Sequence, residues 1–454
     1  MSICRLQSTF LMALAAATLL SSRAAAENWS QFRGENAGVI DGAQLPLEWS
    51  SDKHVVWKVP LPGVGWSQPV VWGDKVFVTT AETEAQTKPA PGARGPGISG
   101  FAMLFGTDQA PPKESYTWKV MCLDAATGKT IWEQTAREGR PTMKIHPSNT
   151  YASETPVTDG ERVIAYFGMT GVYCYDLAGN PIWSKDLGAY PTQFGWGTGS
   201  SPLLFGDRVY IQCDNDKASF LVALDKKSGD ELWRVERDEK SNWSTPYIWK
   251  NKARTELVTA GGKQVRSYDP ESGELLWSMK GSGRTATTPT GNEQLLFIDS
   301  YDRLTGGTGI FLAIRPGASG DISLSGKETS NAHIAWSVPL RGQRVASPMI
   351  YRDCVYVLEQ NTGIVRCMNA ATGEEHFRKR LPEASGFTAS PLANDGKIFC
   401  LDQNSKNYVI EAGAELKVVA TNSLDGGMCW ASPAVAGNRL LIRTVDQLYC
   451  IGRE

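Results

Sequence analysis

The sequence predicts an all-β fold: an eight-bladed β-propeller of four-stranded antiparallel blades, closed by an N-terminal strand that completes the last blade. Three observations carry this expectation. Eight prolines (Pro69, Pro156, Pro202, Pro246, Pro289, Pro348, Pro391 and Pro433) each open an apolar run behind a Ser or Thr, except Pro69, which follows Gln68 with Ser67 one place earlier. Apart from 87 residues between the first two and 59 between the fifth and sixth, their intervals are 42 to 46 residues, the length of a four-stranded blade. A turn of the form Asp-x-x-x-Gly-x-x-x-Trp recurs at Asp124…Gly128…Trp132, Asp225…Gly229…Trp233 and Asp269…Gly273…Trp277.

The unit that opens at Ser201-Pro202 shows each blade's elements in order. Leu203-Leu204-Phe205 predicts strand A, Arg208 to Gln212 strand B, Phe220 to Leu224 strand C, and the run through Trp233 strand D. Gly206-Asp207 and Asp225 to Gly229 are hairpin turns, because an Asp side chain bonds backbone amides two residues on and Gly accepts positive φ. Proline suits the start of a strand, where no ladder hydrogen bond is lost. Trp at a fixed place on the outer strand supplies an apolar plate that stacks one blade on the next. Blade 2 shortens the C–D turn to Asp176…Gly179…Trp183, and blade 6 substitutes Asn369…Gly373…Phe377.

Strand counting gives the closure. After Pro433 only three runs remain, Ala434–Ala436, Leu440–Arg443 and Gln447–Ile451, while His54 to Val59 precedes the first repeat and carries Trp57. That strand completes an eighth sheet, and a closed ring leaves no exposed edge. Two blades are enlarged. An irregular, proline-rich insertion over 80–115 separates strands B and C of blade 1, and Arg315 to Asp321 replaces the regular turn of blade 5.

Residues 1–26 read as a secretory signal: Arg5, an apolar stretch from Phe10 to Leu20, then Ala24-Ala25-Ala26. The expected product is one domain over 27–454, exported to the periplasm or beyond, soluble and monomeric. Without Arg5 and Arg23 the balance is 44 basic to 48 acidic residues, with no charge run, which argues against nucleic acid as a partner. No later segment is apolar enough to span a bilayer. Eight cysteines follow the leader. Cys122, Cys174, Cys367 and Cys450 hold equivalent places before the C–D turns and read as buried packing residues, while Cys354 and Cys367 make the best candidate disulfide across a hairpin.

The Ala-Leu-Asp225-x-x-Ser-Gly229-x-x-x-Trp233 unit and its copies resemble the tryptophan-docking repeat of the quinoprotein alcohol dehydrogenase-like (PQQ-like) propellers, a family that includes PQQ-dependent dehydrogenases and BamB-like exported proteins. Trp29-Ser-Gln-Phe-Arg33-Gly34 also resembles the start of exported PQQ-like repeat proteins. The resemblance covers the chain after the leader and implies the fold. Members that oxidise alcohols or aldoses set a vicinal Cys-Cys ring against the quinone and use a Glu/Asn/Asp calcium set. This sequence has no adjacent cysteines, no match to that set and no Cys-x-x-Cys-His haem attachment.

Function on a propeller favours the irregular loops around the axis. Here those are the D–A and B–C connections of one face. The D–A loops offer Arg140, His146, Asn149, Glu154, Trp196, Arg237, Asn242, Trp243, Arg284 and Arg344; the B–C loops offer Asp214, Asn215, Tyr301 and Asp302. A mixed ring of Arg, Trp and carboxylates suits an anionic or sugar-like ligand, or a peptide laid across the mouth. Trp66, Trp243 and Trp430 each stand three residues before a proline, a repeated spacing that favours packing. Four scattered histidines form no metal-ligand spacing, and no catalytic residue is assigned. The expectation is an exported binding or scaffold propeller whose partner is an envelope protein, a peptide or a small polar or anionic ligand. The alternative is a PQQ- and calcium-dependent oxidoreductase using the same funnel.

Overall fold

Eight sheets surround a common axis, seven of four strands and one of five. The computed structural model describes residues 28–89, 110–281, 283–300 and 309–453. The expected leader and residues 90–109 of the blade 1 insertion lie outside the described residues. In all eight blades strand A begins one residue after its proline, as at Val70, Leu203 and Ala434. The strand Val55–Pro60 pairs antiparallel with Gln447–Ile451 and supplies the outer strand of blade 8, so closure follows the sequence expectation.

The residue before each proline explains why the motif repeats. A residue preceding proline is held extended, and its N–H lies outside the sheet ladder. Here that N–H donates to the Ser or Thr hydroxyl of the next blade. Gln68 donates to Thr155 at 3.0 Å, Thr155 to Ser201 at 2.9 Å and Ser201 to Thr245 at 3.0 Å. Thr288 donates to Ser347 at 3.0 Å, Ser347 to Ser390 at 3.0 Å and Ser390 to Ser432 at 2.9 Å. Six of the eight junctions are therefore joined around the axis. The two gaps fall at Thr245–Thr288, where the Thr288 hydroxyl is buried without a partner, and at Ser432–Gln68. At the second gap the Gln68 side chain bridges instead, donating to the Pro433 carbonyl at 2.5 Å.

The outer rim is held by a second repeated contact. Trp57, Trp132, Trp183 and Trp336 donate their indole N–H to carbonyls in the C–D turn of the following blade, at Ala125, Leu177, Lys226 and Ala370, over 2.9 to 3.1 Å. Each ring lies flat on that turn's glycine. A Cβ at Gly229 (φ 75°) would stand 2.6 Å from Trp183, so both the conformation and the close approach require glycine there. Trp277 departs from the pattern because blade 5 lacks the turn. It is fully buried and donates to the Glu256 carboxylate at 2.7 Å. The short strand Gly320–Asp321 from blade 5 then pairs parallel to Trp277–Ser278 and makes blade 4 five-stranded.

Two expectations need correction. Strand B of blade 1 continues through Glu82, so Thr80 to Glu82 belong to the sheet and not to the insertion; the Thr80 hydroxyl bonds back to Pro62 O, and Ala81 pairs with Trp118. The eight described cysteines are free thiols. Cys354 faces Asn369 and Cys367 faces Tyr356, so the proposed pair is diagonal across the hairpin, not directly opposed. Cys122, Cys174, Cys367 and Cys450 are buried as the packing role requires.

The hydroxyl ring yields a paired prediction. Ser390→Ala removes the acceptor of the Ser347 amide and is expected to lower stability by about 1–3 kcal/mol in urea unfolding. Thr288→Val deletes a hydroxyl that accepts nothing and should leave the urea midpoint unchanged or raised. Equal losses in the two variants would exclude the ring as the stabilising element.

Candidate functional site

All eight D–A connections meet at the axis and line one cavity of about 240 Å³. Four indoles form its wall: Trp66, Trp196, Trp243 and Trp430. Trp66 and Trp430 stack at 5.6 Å across the blade 8–blade 1 seam, and Trp196 lies 5.3 Å from Trp243. Their N–H groups also tie neighbouring loops together: Trp66 donates to Ser148 O at 2.9 Å and Trp243 to Gly197 O at 2.7 Å. The packing expected of Trp66, Trp243 and Trp430 is therefore real, yet the same rings face the cavity. Below them the ring hydroxyls of Thr155, Ser201, Thr245, Ser390 and Ser432 reach the lining. Among the described residues the lining contains no Asp, Glu, Lys or Arg.

Of the residues singled out from sequence, His146, Asn149, Trp196 and Trp243 line this mouth. The Ser148 amide donates to His146 Nδ1 at 3.1 Å, and the Ser148 hydroxyl lies 2.7 Å from the same nitrogen. The ring meets Trp196 edge-on at 6.4 Å. Asn149 is a loop staple that donates to Trp196 O at 2.7 Å and Thr198 O at 3.1 Å.

The charged candidates are committed elsewhere. Arg237 and Asp214 form a fully buried bidentate pair, 2.8 and 3.1 Å, and Arg237 also donates to Thr259 Oγ1 and Tyr268 OH. Arg344 makes the equivalent pair with Asp299 at 2.6 and 2.8 Å. Neither arginine lines this cavity; each neutralises an aspartate at the end of a B strand. Asn215 is buried and closes its own turn: its Oδ1 accepts the Lys217 and Ala218 amides. Asn242 is buried with Oδ1 on the Ser244 amide and lines a side pocket of about 30 Å³ instead. Arg140 is exposed outside the lining, and Arg284 lies over Gly262. Tyr301 and Asp302 lie outside the described residues.

Glu154 is turned away from the cavity into the protein and is 2 % exposed. Its Oε1 has no partner. Burial pushes the carboxyl up to about 7, against a smaller opposing pull from the Thr198 hydroxyl and nearby amides.

Sequence reasoning missed the floor of the mouth. Residues 28–49 run beneath the ring: Trp29 exchanges backbone bonds with Val71 at 2.9 and 2.8 Å, and Ile40 donates to Ala393 O at 2.9 Å. Between them the chain knots through Arg33 (φ 64°), Gly34 (φ 64°), Ala37 (φ 51°) and Gly38 (φ 91°). Phe32 lines the mouth above and also a wider cavity of about 640 Å³ that opens on the A–B turn face. Arg33 is buried below, with its backbone N–H on Gln68 Oε1 at 2.6 Å and its guanidinium on Thr290 Oγ1 at 2.7 Å and Pro348 O at 2.6 Å. The one available signal was that Gln68 breaks the Ser/Thr-Pro rule: its amide is needed to hold this arm.

Two outcomes follow from the buried acids. The folded protein keeps a Glu154 proton that the unfolded chain releases near pH 4.3, so that stability is complete below about pH 4 and is lost as pH rises through about 7. Glu154→Gln should flatten this dependence and gain up to about 3 kcal/mol over the parent at pH 8.5, read from urea midpoints at pH 5 and 8.5. Asp214→Ala strands a buried guanidinium and should cost about 3–5 kcal/mol. A loss below 1 kcal/mol there would show that Arg237 finds solvent.

Comparison with known proteins agrees with the repeat architecture. A family model described as outer membrane protein assembly factor BamB matches residues 117–248 and 217–318. Tetrathionate hydrolase of Acidithiobacillus ferrooxidans is 23 % identical over 299 residues, 59 % of this chain and 55 % of that protein. The chain thus spans about half the length of the curated relative it matches. BamB from Moraxella catarrhalis superposes with a TM-score of 0.53 at 14 % identity, covering 76 % of this chain and 93 % of that one. A europium-containing methanol dehydrogenase superposes with a TM-score of 0.47 at 12 % identity, over 85 % and 90 % of the two chains. Its ring of eight blades and its tryptophan-docking repeats agree with a PQQ-like propeller fold, and over residues 117–318 the chain is similar to the BamB family model.

Proposed function

We propose that this protein is an exported binding propeller, and that it holds its ligand or an inserted side chain of its partner in the axial mouth of the D–A face. The observation that carries this reading is the convergence of Trp66, Trp196, Trp243 and Trp430 on one cavity to which all eight D–A connections contribute. Trp66 is buried and the other three are half-buried, and indoles give large contact area at small cost in conformational entropy, which is why Trp is enriched in binding hot spots. The likeness to BamB supports an envelope location and a protein partner as the setting.

The described lining does not fit calcium-bound PQQ. It has no carboxylate to ligate the ion, no group of three or more His, Cys, Asp or Glu lies within metal-binding reach among the described residues, and no two cysteines are adjacent. No reaction step is therefore assigned to that cofactor. The relative named for tetrathionate hydrolysis makes sulfur oxyanions worth including among ligands, although no acid–base pair faces the mouth among the described residues.

Two measurements test the reading. Incubation with PQQ and calcium, followed by quinone titration and dye reduction with alcohols or aldoses, is expected to give neither stoichiometric binding nor turnover. Turnover would replace the binding reading with the oxidoreductase one. Trp243→Ala, which removes one wall of the mouth, is expected to weaken any ligand that quenches the protein's indole fluorescence at least tenfold, about 1.4 kcal/mol. Unchanged affinity would place binding elsewhere.

A further inference from the structure

Four arginines are buried around the axis, and they fall into two kinds. Arg237 and Arg344 are each matched by an aspartate. Arg33 and Arg443 have no carboxylate partner among the described residues; their hydrogen bonds go to neutral oxygens. Arg443 is wholly buried, donates Nη1 to Ser67 O at 3.0 Å and to the Ser67 hydroxyl, and leaves Nε and Nη2 without a partner. Arg33 likewise leaves Nε unpartnered. Isolated buried charges are costly, and proteins normally pair them. Consistent with that cost, desolvation pulls Arg443 down to about 9 and Arg33 down to about 10.

Arg443 stands one side chain behind the mouth, whereas Arg33 lines the wider cavity on the A–B turn face. Ser67, the acceptor of Arg443, sits between Trp66 and Gln68, which line the cavity. Arg33 follows Phe32, the cavity floor, and its amide is bonded to Gln68. The lining itself is rich in donors. Five ring residues, Thr155, Ser201, Thr245, Ser390 and Ser432, reach it, and each hydroxyl that accepts a neighbouring amide retains its own proton to give. The buried Trp430 N–H has no acceptor either. Burial raises the carboxyl of Glu154, beside Thr198, to about 7, so its uncharged form gains ground as pH falls below that value.

We propose that the mouth takes a small oxyanion, a carboxylate or sulfur oxyanion, whose negative charge is met by hydroxyl and indole donors on the wall and by the unpaired guanidinium group of Arg443 behind it. This rests on the binding reading above and specifies its ligand class. The ligand completes an ion-pair set that the polypeptide leaves open at the blade 8–blade 1 seam, and its body lies between the indoles.

The test uses charged and uncharged probes of one shape. Benzoate and benzamide are titrated into the full chain, with thiosulfate and acetate as further arms, and binding is read from indole fluorescence and calorimetry. Benzoate is expected to bind at least tenfold tighter than benzamide, with affinity falling as sodium chloride rises from 20 to 500 mM. Arg443→Gln is expected to cost benzoate tenfold or more, to leave benzamide unaffected and to keep or raise the thermal midpoint, because an unpaired buried charge has been removed. Arg443→Lys should restore part of the loss. A purely structural Arg443 would instead lower the midpoint and leave the benzoate-to-benzamide ratio intact. Equal binding of the two probes, sensitive to Trp243→Ala, would overturn the charge assignment and leave the mouth as a site. Silence from every probe would overturn both. The thiosulfate and acetate arms separate a sulfur oxyanion from a carboxylate as the favoured chemistry.

Discussion

A Ser or Thr hydroxyl that stands before a proline accepts a backbone amide from the neighbouring blade, and the rest of the molecule is arranged around this bond. It joins innermost strands that share no sheet, so it sets the spacing of the blades at the axis, where they are most crowded. The proline keeps the donor residue extended and removes the next N–H from competition. Because the joined residues end the D–A loops, the same bond fixes where those loops meet at the axis. The tryptophan plates on the outer rim perform the complementary task at larger radius. Inner bonds and outer plates together leave each blade little freedom to tilt.

This division explains what could be read from the chain and what could not. Repeated features were legible because repetition itself is a signal: the prolines, the Asp-to-Gly turns and Trp57 gave the blade count and the closure. The ends of strands followed from turn chemistry to within a few residues. The pairings of Arg237 with Asp214 and of Arg344 with Asp299 were not legible, since 23 and 45 residues separate partners that come together only when the strands of their blade pair. Read from sequence, those arginines looked available; in the fold both are buried and paired. Trp66 and Trp430 were assigned to packing on good grounds, and nothing in their spacing could reveal that a packed indole also presents a face to the cavity.

The departures from the repeat carry the individuality of the protein. Gln68 replaces a hydroxyl residue and in exchange gains two bonds, one to blade 8 and one to the arm beneath the ring. Blade 5 loses its docking turn, and Trp277 turns inward to a buried carboxylate while a short strand covers its edge. Arg33 and Arg443 break the pairing rule that the other two buried arginines obey. Gln68, Arg33 and Arg443 sit near the axis, whereas the Trp277 departure alters the outer rim between blades 4 and 5.

The arm under the ring also has a consequence for the order in which the molecule assembles. Arg33 bonds Thr290 across 257 positions of sequence and Gln68 bonds the Pro433 carbonyl across 365, while the strand Val55–Pro60 waits for Gln447–Ile451. Blades 1 to 7 each form from local hairpins, but their final arrangement depends on contacts whose loop-closure entropy is large. Until blade 8 is complete, blade 1 and blade 7 present open flanks and Phe32 has no channel to enter. Formation of the axial cavity and completion of the fold are thus a single late event, and a chain arrested before it would expose open strand edges.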